Sequence, residues 1–356
     1  MILTKLSLRN FRTYDSLDIS FERGLNIITG ANAAGKSNLA EAIQFLSLAR
    51  SWRTTDESIL VKDGSLSALI RANVVEGRLS REIEIELSKN SKKIHVNGKA
   101  VRRLSELAKV VNVICFAPED VQLFSSSPGE RREFLDISLS KQSNDYFSLI
   151  STYQRLLKER NVLLKSDRVD MSLLEILTEQ LATVSEPIVH YRTMYVSSLN
   201  AVLPNVLRKI RGDDATAELV YRACARDDGT FPDKIRSAFK ESLNGDLMRK
   251  MTSVGPHRDD FVFKLNGKDI SKFGSQGENR MAVLALKLAP SLLIEDEEKK
   301  PICVLDDVTS ELDAKHIGDL STLLKSFPQV FITTTNLDID GASYIDVSSN
   351  TAIRRI

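Results

Sequence analysis

Roughly the first 35 residues of the chain alternate between apolar and polar positions. Leu17, Ile19 and Phe21 alternate strictly, and the short apolar run LNIIT follows at residues 25–29. A period of two is typical of β-strands, whereas the segment that begins at Lys36 carries its apolar side chains at helical spacing. The pattern therefore predicts strands that lead directly into a helix.

Strand patterns continue to about residue 117 and then give way to a long helical segment. Residues 68–100 contain alternating runs, and the Asn-Gly pair at 97–98 predicts a hairpin. From about 129 to 207 the apolar residues recur at helical spacing and glycine is nearly absent. That pattern predicts an inserted arm of two or more antiparallel helices.

Buried-strand patterns return after residue 250. The segment at 259–270 predicts a hairpin, the segment at 277–294 predicts a helix, and the apolar runs at 302–308 and 329–336 predict buried strands. Buried strands separated by helices favour a parallel sheet. We therefore predict an α/β fold, a head with a mixed sheet and helices, interrupted by a mainly helical arm. The predicted parts are an N-terminal lobe of the head at 1–117, the arm at 118–250 and the C-terminal part of the head at 251–356.

Composition narrows the class of protein. The 356 residues are 42% hydrophobic and carry a net charge of +1, so a sizeable core is expected and a strongly basic chain is excluded. The three cysteines are far apart, which favours a reduced intracellular protein without structural zinc. No apolar run approaches the ~20 residues of a membrane span, and the first residues alternate like a strand and not like a signal peptide. We expect a cytoplasmic protein without a membrane partner.

The segment at 30–37 matches the phosphate-binding pattern G-x-x-x-x-G-K-[ST] at every fixed position. In a strand–loop–helix context, backbone N–H groups surround the phosphates, Lys36 reaches the β- and γ-phosphates, and the Ser37 hydroxyl binds Mg²⁺. The predicted order of elements makes a chance match improbable. The nucleotide-binding residues predicted here are Gly30, Ala31, Asn32, Ala33, Ala34, Gly35, Lys36, Ser37 and Asn38.

Two carboxylates, Asp306 and Asp307, stand at the end of a predicted buried strand. Neighbouring like charges are costly unless a site uses them, although a strand end that meets solvent is the simpler alternative. Together with the loop at 30–37 they predict catalysis. Asp306 would hold Mg²⁺ with Ser37, and Asp307 would orient or deprotonate the attacking water.

A third segment, FGSQGENRM at 273–281, precedes a predicted helix. Ser275, Gln276 and Gly277 can present a hydroxyl, N–H groups and a helix dipole to a phosphate. A solvated loop with a serine helix cap explains the same residues and, judged alone, is the more frequent outcome.

The order of these motifs resembles the ABC-type ATPases: a phosphate loop, a Ser-x-Gly loop before a helix, and a strand ending in Asp-Asp before TSELD. The long interval between the first two resembles the SMC-like branch, in which an arm interrupts the head. Longer segments resemble the RecF family of recombination mediators, in order and along almost the whole chain. Among them are NFRTYDSLDISFERGLNIITGANAAGKSNLAEAI, FAPEDVQLFSSSPGERREFLD and TSVGPHRDDFVFKLNGKDISKFGSQGENRMAVLALKLA.

The resemblance implies ATP with Mg²⁺ and a homodimer that forms when ATP binds. In ABC-type ATPases the signature segment, here Ser275 to Gly277, completes the nucleotide site of the partner subunit. The resemblance also implies binding to gapped or single-stranded DNA or to junctions, and action with RecO and RecR to load RecA, with roles in replication and the SOS response. Resemblance to SMC-like heads assigns Arg12 to the phosphates and Arg53 to the nucleotide or DNA edge. A solvated surface arginine is the alternative for each.

Some positions depart from the ABC-type pattern. Glu278 stands where the signature has glutamine, Asp307 where the base is a glutamate, and Thr333 to Thr335 where a switch histidine is frequent. These departures indicate slow ATP hydrolysis. They favour a protein that ATP turnover switches between states over one that uses ATP to do mechanical work. Two other readings stay open: an ABC-type subunit that drives a membrane or other partner, and a non-catalytic nucleotide-binding scaffold. DNA contact has the least support from residues, because basic side chains such as Arg131 and Arg160 are interleaved with acidic ones.

Overall fold

The computed structural model describes residues 1–101, 107, 110–224, 231–308 and 314–355. The predicted TSELD motif at 309–313 lies outside this description. The chain divides into two compact units. The first comprises Met1–Val121, Asn205–Asp214 and Arg280–Ile356, and the second comprises Gln122–Pro204 and Ala215–Asn279.

The first unit contains an antiparallel sheet built from the alternating segments of the N-terminal lobe. Its strands are β1 Ile2–Phe11, β2 Tyr14–Ser20, β4 Ser67–Glu76, β5 Leu79–Ser88, β6 Ser91–Val96 and β7 Lys99–Ala100. They pair in the order β2-β1-β4-β5-β6-β7. Alternate side chains of these strands are buried in a common hydrophobic core, which explains the period of two in the sequence.

A second, mixed sheet carries the apolar strands. Its members are β3 Gly24–Thr29, β8 Val113–Phe116, β12 Ile302–Leu305, β13 Gln329–Thr334, β14 Ser343–Ser348 and β15 Thr351–Arg355. The order is β15-β14-β3-β13-β12-β8, and every pair except β14 with β15 is parallel. Every residue of β12 and β13 is buried, as expected for interior strands of a parallel sheet. The predicted parallel sheet is confirmed.

The longer helices lie where the sequence pattern predicted them, whereas the helices at Ile270–Phe273 and Ala314–Leu324 were not predicted. They are α1 Lys36–Leu48, α2 Pro128–Gln142, α3 Asn144–Leu164, α4 Met171–Arg211, α5 Phe231–Arg249, α6 Ile270–Phe273, α7 Gln276–Leu292 and α8 Ala314–Leu324. In the part of the chain that the structure describes, none of the helices combines the length and apolar character needed to cross a bilayer. Helix α1 begins directly after the loop that follows β3, which is the strand–loop–helix order expected from the sequence.

The second unit combines helices of the arm with a small antiparallel sheet. Its strands are β9 Ala217–Arg222, β10 Asp260–Leu265 and β11 Lys268–Asp269, in the order β11-β10-β9. Strand β10 pairs with β9 along its whole length, from Asp260 opposite Arg222 to Leu265 opposite Ala217. Residues 251–279 therefore group with the arm, whereas the predicted boundary placed them in the head. The sequence pattern cannot show which distant strand a β-strand will pair with.

Arginines that are buried or partly buried connect elements of the second unit through ion pairs. Arg160 is fully buried and donates to Asp246 at 2.8 Å, and the nearly buried Arg192 pairs with Asp259 at 3.1 Å. Arg131 donates to both carboxylate oxygens of Asp260, at 2.7 and 2.9 Å. Removing one partner of a buried pair leaves an uncompensated charge, so these arginines serve the fold. Arg131 and Arg160 are thus poor candidates for a DNA-binding face.

His257 in the second unit gives a pH-dependent prediction. Its Nδ1 lies 2.6 Å from the Tyr153 hydroxyl and its Nε2 lies 3.0 Å from the Thr252 carbonyl, contacts that a neutral ring protonated at Nε2 satisfies. Burial lowers the pKa of His257 from 6.5 to about 4. The unfolded chain therefore binds the extra proton first, and stability present above pH 6.5 is lost as the pH falls towards 4.

We expect His257 to contribute up to about 3 kcal/mol to this loss, from the size of the shift. The replacement His257→Gln keeps an acceptor and a donor but does not titrate. Urea unfolding at pH 7 and pH 4.5 should show a smaller loss for the variant than for the wild type. Equal losses in the two proteins would show that His257 does not carry the effect.

Candidate nucleotide-binding site

A cleft of about 620 Å³ opens in the first unit at the carboxyl ends of β3, β12 and β13. In parallel sheets this edge is the usual place for ligands, because loops and helix N-termini meet there. The cleft collects residues that lie far apart in sequence. Predicted site residues that line it are Arg12, Asn32, Ala33, Gly35, Lys36, Ser37, Asn38, Arg53, Asp306 and Asp307.

Two glycines of the loop at 30–37 are required by close neighbours. Gly30 has a φ of 154°, and a Cβ there would lie 2.2 Å from the carbonyl oxygen of Val347. Gly35 has a φ of 110°, and the hydroxyl of buried Tyr14 donates to its carbonyl at 3.0 Å. The loop is therefore packed from both sides, and larger residues at these two positions would displace it.

The rest of the loop curls around the Lys36 ammonium group. Lys36 Nζ donates to the carbonyls of Gly30 at 2.7 Å and Ala31 at 2.8 Å. Ala33 adopts a left-handed φ of 63°, which is uncommon for a residue with a Cβ and is found at functional sites. Burial lowers the pKa of Lys36, an effect that the charges of Asp307 and Asp306 oppose. The Lys36 ammonium group thus lies on the concave side of a loop whose backbone geometry suits a bound anion.

Asp306 joins the phosphate loop to the end of β12. Its side chain is 4% exposed, and its Oδ1 accepts hydrogen bonds from Ser37 Oγ at 3.0 Å and Thr333 Oγ1 at 2.6 Å. Burial raises the pKa of Asp306, and these two hydrogen bonds oppose the rise. The two side chains predicted to hold Mg²⁺ are therefore neighbours.

The chemistry of this pair fits Mg²⁺, a hard cation that prefers oxygen ligands and takes only one or two protein carboxylates beside phosphate oxygens and waters. Among the described residues there is no cluster of three or more His, Cys, Asp or Glu side chains that could hold a metal ion. Ser37 and Asp306 would hold the ion, where it would neutralise phosphate charge.

Asp307, the predicted catalytic residue next in sequence, is exposed at the cleft and has a left-handed φ of 51°. Its backbone is held on both sides: its N–H donates to Thr333 Oγ1 at 2.9 Å, and Arg280 Nη2 donates to its carbonyl at 2.5 Å. A strained backbone that its neighbours fix is typical of functional positions. The fold thus buries one carboxylate of the pair and leaves the other at the solvent side.

The signature segment, Ser275 to Gly277, is part of the second unit. Ser275, Gln276 and Gly277 are exposed at the start of α7 and are not among the residues lining the cleft. Ser275 Oγ accepts from the N–H of Glu278 at 3.2 Å, and Glu278 Oε2 accepts from the N–H of Ser275 at 2.9 Å. This is a capping box, so the serine cap considered as an alternative is present. The Glu278 carboxylate is turned towards this cap.

The chain matches a known protein family over almost its whole length. Residues 2–340 match the family model described as the RecF/RecN/SMC N terminal domain. The DNA replication and repair protein RecF of Clostridium acetobutylicum is 35% identical over 340 residues, which cover 95% of this chain and 93% of that protein. This chain belongs to the RecF family. RecF of Clostridium tetani gives a similar match, with 36% identity over 345 residues that cover 95% and 94% of the two chains.

Solved structures agree with the family assignment. The recombination mediator RecF with ATP, described in the RecFOR pathway, superposes with a TM-score of 0.91 at 32% identity and covers 99% of this chain and 97% of that one. An Smc head domain from Pyrococcus furiosus gives a TM-score of 0.60 at 16% identity, covering 99% and 95%, which shows a shared fold alone. The predicted α/β head with an inserted arm is therefore confirmed as the RecF and SMC type of fold.

The sequence pattern did not predict several residues of this RecF-family site. Tyr14 supports the loop, Arg280 holds the backbone of Asp307, and fully buried Glu41 on α1 pairs with Arg12. Glu41 offered a signal, since a single charge within the apolar stretch NLAEAIQFL needs a buried partner. The partners of Tyr14 and Arg280 depend on the fold, and no local pattern marks them.

Proposed function

We propose that this chain is an ATP-dependent DNA-binding protein of recombinational repair. Two copies dimerise on ATP, clamp DNA at single-strand gaps and stalled forks, and act with RecO and RecR to help load RecA. Roles in replication and in the SOS response follow from the same activity. The proposal places the protein in the cytoplasm, with no membrane partner.

One observation carries the nucleotide part of this proposal: a single cleft holds Lys36, Ser37 and Asp306, which come from opposite ends of the chain. A phosphate loop, a hydroxyl and a buried carboxylate together are the parts that P-loop ATPases use for a nucleotide with Mg²⁺. The similarity to a RecF solved with ATP supports the choice of ATP.

In the proposed reaction the loop N–H groups and Lys36 bind the phosphates. Ser37 and Asp306 would hold Mg²⁺, which would supply positive charge to neutralise the phosphates. Asp307, exposed at the cleft, orients the attacking water and accepts its proton. Its carboxylate is one methylene shorter than that of a glutamate, so its reach towards the water is shorter. We therefore propose weak ATPase activity that times release of the clamp and does no mechanical work.

The dimer requires a second anion-binding surface, and Ser275 to Gly277 supply its chemistry. They are exposed at the N-terminus of the 17-residue helix α7, where backbone N–H groups and the helix dipole favour an anion. In the proposed dimer they contact the ATP held by Lys36 of the partner copy. Hydrolysis removes the γ-phosphate contacts and lets the pair open. DNA would be held largely through its phosphates, so its binding should weaken with salt.

Light scattering with and without ATP tests the shared site, both alone and with gapped DNA. We expect the mass to double with ATP for the wild-type chain. Ser275→Asp keeps a residue that can cap α7 but adds a negative charge facing the phosphates, so it should stay monomeric. The matched control is Ser143→Asp, since Ser143 caps α3 by accepting from Tyr146 N and should tolerate the change. A wild-type mass that ATP leaves unchanged would contradict the dimer.

Simple experiments distinguish the two alternative functions from the proposed one. A non-catalytic scaffold would bind ATP without turnover, whereas the exposed Asp307 predicts slow hydrolysis. An ABC-type subunit that drives a membrane partner would co-purify with that partner and would not shift DNA in a gel. Membership in the RecF family favours the DNA reading over both.

A further inference from the structure

Glu41 is a fully buried carboxylate one turn beyond the phosphate loop, and it is surrounded by donors. Arg12 donates to both of its oxygens, from Nε at 2.8 Å and from Nη2 at 2.7 Å. Ser51 Oγ adds a hydrogen bond at 2.5 Å, and Arg53 Nη1 lies 3.5 Å away. A buried charge of this kind is stable only because it is paired and hydrogen-bonded on every side.

Arg12 is held in place by its backbone as well. It occupies the two-residue turn between β1 and β2 with a left-handed φ of 54°, and its N–H donates to the Leu60 carbonyl at 2.7 Å. The side chain is 14% exposed and lines the cleft. Glu41 accepts hydrogen bonds from Nε and Nη2 of the guanidinium group. The remaining nitrogen, Nη1, makes one long contact of 3.4 Å with the Ile59 carbonyl.

Arg53 is held more loosely beside it. Its Nη1 donates to Asn38 Oδ1 at 2.8 Å, and its side chain is 37% exposed at the cleft. Burial raises the pKa of Asp306, and the charge of Arg53 is among the influences that oppose this rise, so the positive charge of Arg53 acts at the carboxylate end of the cleft. Two arginines therefore line the cleft on one side, and both contact the same buried carboxylate.

We propose that Glu41 is a positioning residue that holds Arg12, and with it Arg53, at the cleft so that their outer N–H groups contact the phosphates of the bound nucleotide. This inference rests on the proposed ATP site. An arginine side chain has about 2 kcal/mol of rotamer freedom, and a bidentate carboxylate removes most of it before the ligand arrives.

The negative charge of Glu41 and its role in positioning Arg12 have opposite expected effects on ATP binding. A negative group near the phosphates repels them, so if charge alone mattered, neutralising Glu41 would strengthen ATP binding. If position matters more, the same change should weaken binding, because an amide at this site points N–H donors at the Arg12 guanidinium group. The sign of the effect therefore separates the two roles.

The experiment measures ATP affinity by calorimetry on the full chain with Mg²⁺ for two variants. Glu41→Gln removes the charge and keeps the length, and Glu41→Asp keeps the charge but is too short for the fork. We expect each to weaken ATP binding about tenfold, the typical value of a lost charge-assisted contact. In an Arg12→Ala/Arg53→Ala background the same two changes should have less than about a twofold effect, because Glu41 then has nothing to position.

The matched control is Glu76→Gln, which removes another partly buried ion pair, with Arg81 at 2.5 Å, and neither residue of this pair is in the cleft lining. It should lower thermal stability and leave ATP affinity unchanged. Unchanged or tighter binding by the Glu41 variants, or the same loss in the arginine-free background, would overturn the positioning role. A wild-type chain that binds no ATP at all would overturn the proposed function, which is a different result.

Discussion

Lys36→Ala should lower ATP affinity by about 100-fold or more and abolish the ATP-dependent dimer at the same time. Lys36 Nζ lies in the curve of the loop, donates to two of its carbonyls and can move from them to the phosphates. Each hydrogen bond to a charged group is worth about 1.5–3 kcal/mol, so losing a lysine that contacts two phosphates produces a loss of that size. Calorimetry and light scattering with ATP measure the two effects.

The control for this prediction is Lys5→Ala, which removes an exposed lysine of β1 that is not in the cleft lining. It should bind ATP and dimerise as the wild type does. The two readouts for Lys36→Ala are coupled in the proposed dimer, because the nucleotide itself joins the copies. A variant that loses ATP affinity but still doubles its mass with ATP would show that dimerisation does not depend on the nucleotide in this cleft.

Asp307→Asn should reduce ATP turnover by a factor of about 10² to 10⁴, the usual contribution of a general base. ATP binding should persist, because Asp306 and Ser37 are untouched, and the ATP-bound dimer should accumulate. Asparagine also tolerates the left-handed φ of 51° at this position, so the backbone geometry should be kept. Phosphate release under single-turnover conditions measures the rate, and light scattering measures the trapped dimer.

Asp63→Asn is the matched control for Asp307→Asn. Asp63 is also an exposed carboxylate that lines the cleft, but it lies in the loop before β4, away from the end of β12. Neutralising it changes the charge of the cleft by the same amount. Equal losses of turnover in both variants would assign the effect to charge in general and remove Asp307 from the role of base.

How far the site could be predicted from sequence depends on how local each part is. The loop at 30–37 is one contiguous motif. Asn32, Ala33, Gly35, Lys36 and Ser37 line the cleft, whereas Gly30, Ala31 and Ala34 are not in its lining. Asp306 was identified through its place at the end of an apolar strand. Its hydrogen bonds with Ser37 and Thr333 were not predictable, because they require β12 and β13 to be neighbours and the loop after β3 to meet them.

The domain boundary shows the same limit. Composition and periodicity located the helical arm, and the helices of the arm lie where the pattern placed them. The segment at 251–279 has the strand character of the head, so the sequence assigned it there. The pairing of β10 with β9 moves it to the other unit, and that choice depends on contacts between strands 38 or more residues apart.

By itself the sequence determined most of the helices and strands, the phosphate loop and the family, because each depends on residues close together in the chain or on a pattern along it. It did not indicate α8, β14 or β15. Only the tertiary structure decided which side chains meet in the cleft. Glu41 and Arg12 are 29 positions apart, and Ser37 and Asp306 are 269 apart. Whether such pairs form depends on sheet order, strand register and the direction in which each element is packed, and none of these is encoded by neighbouring residues.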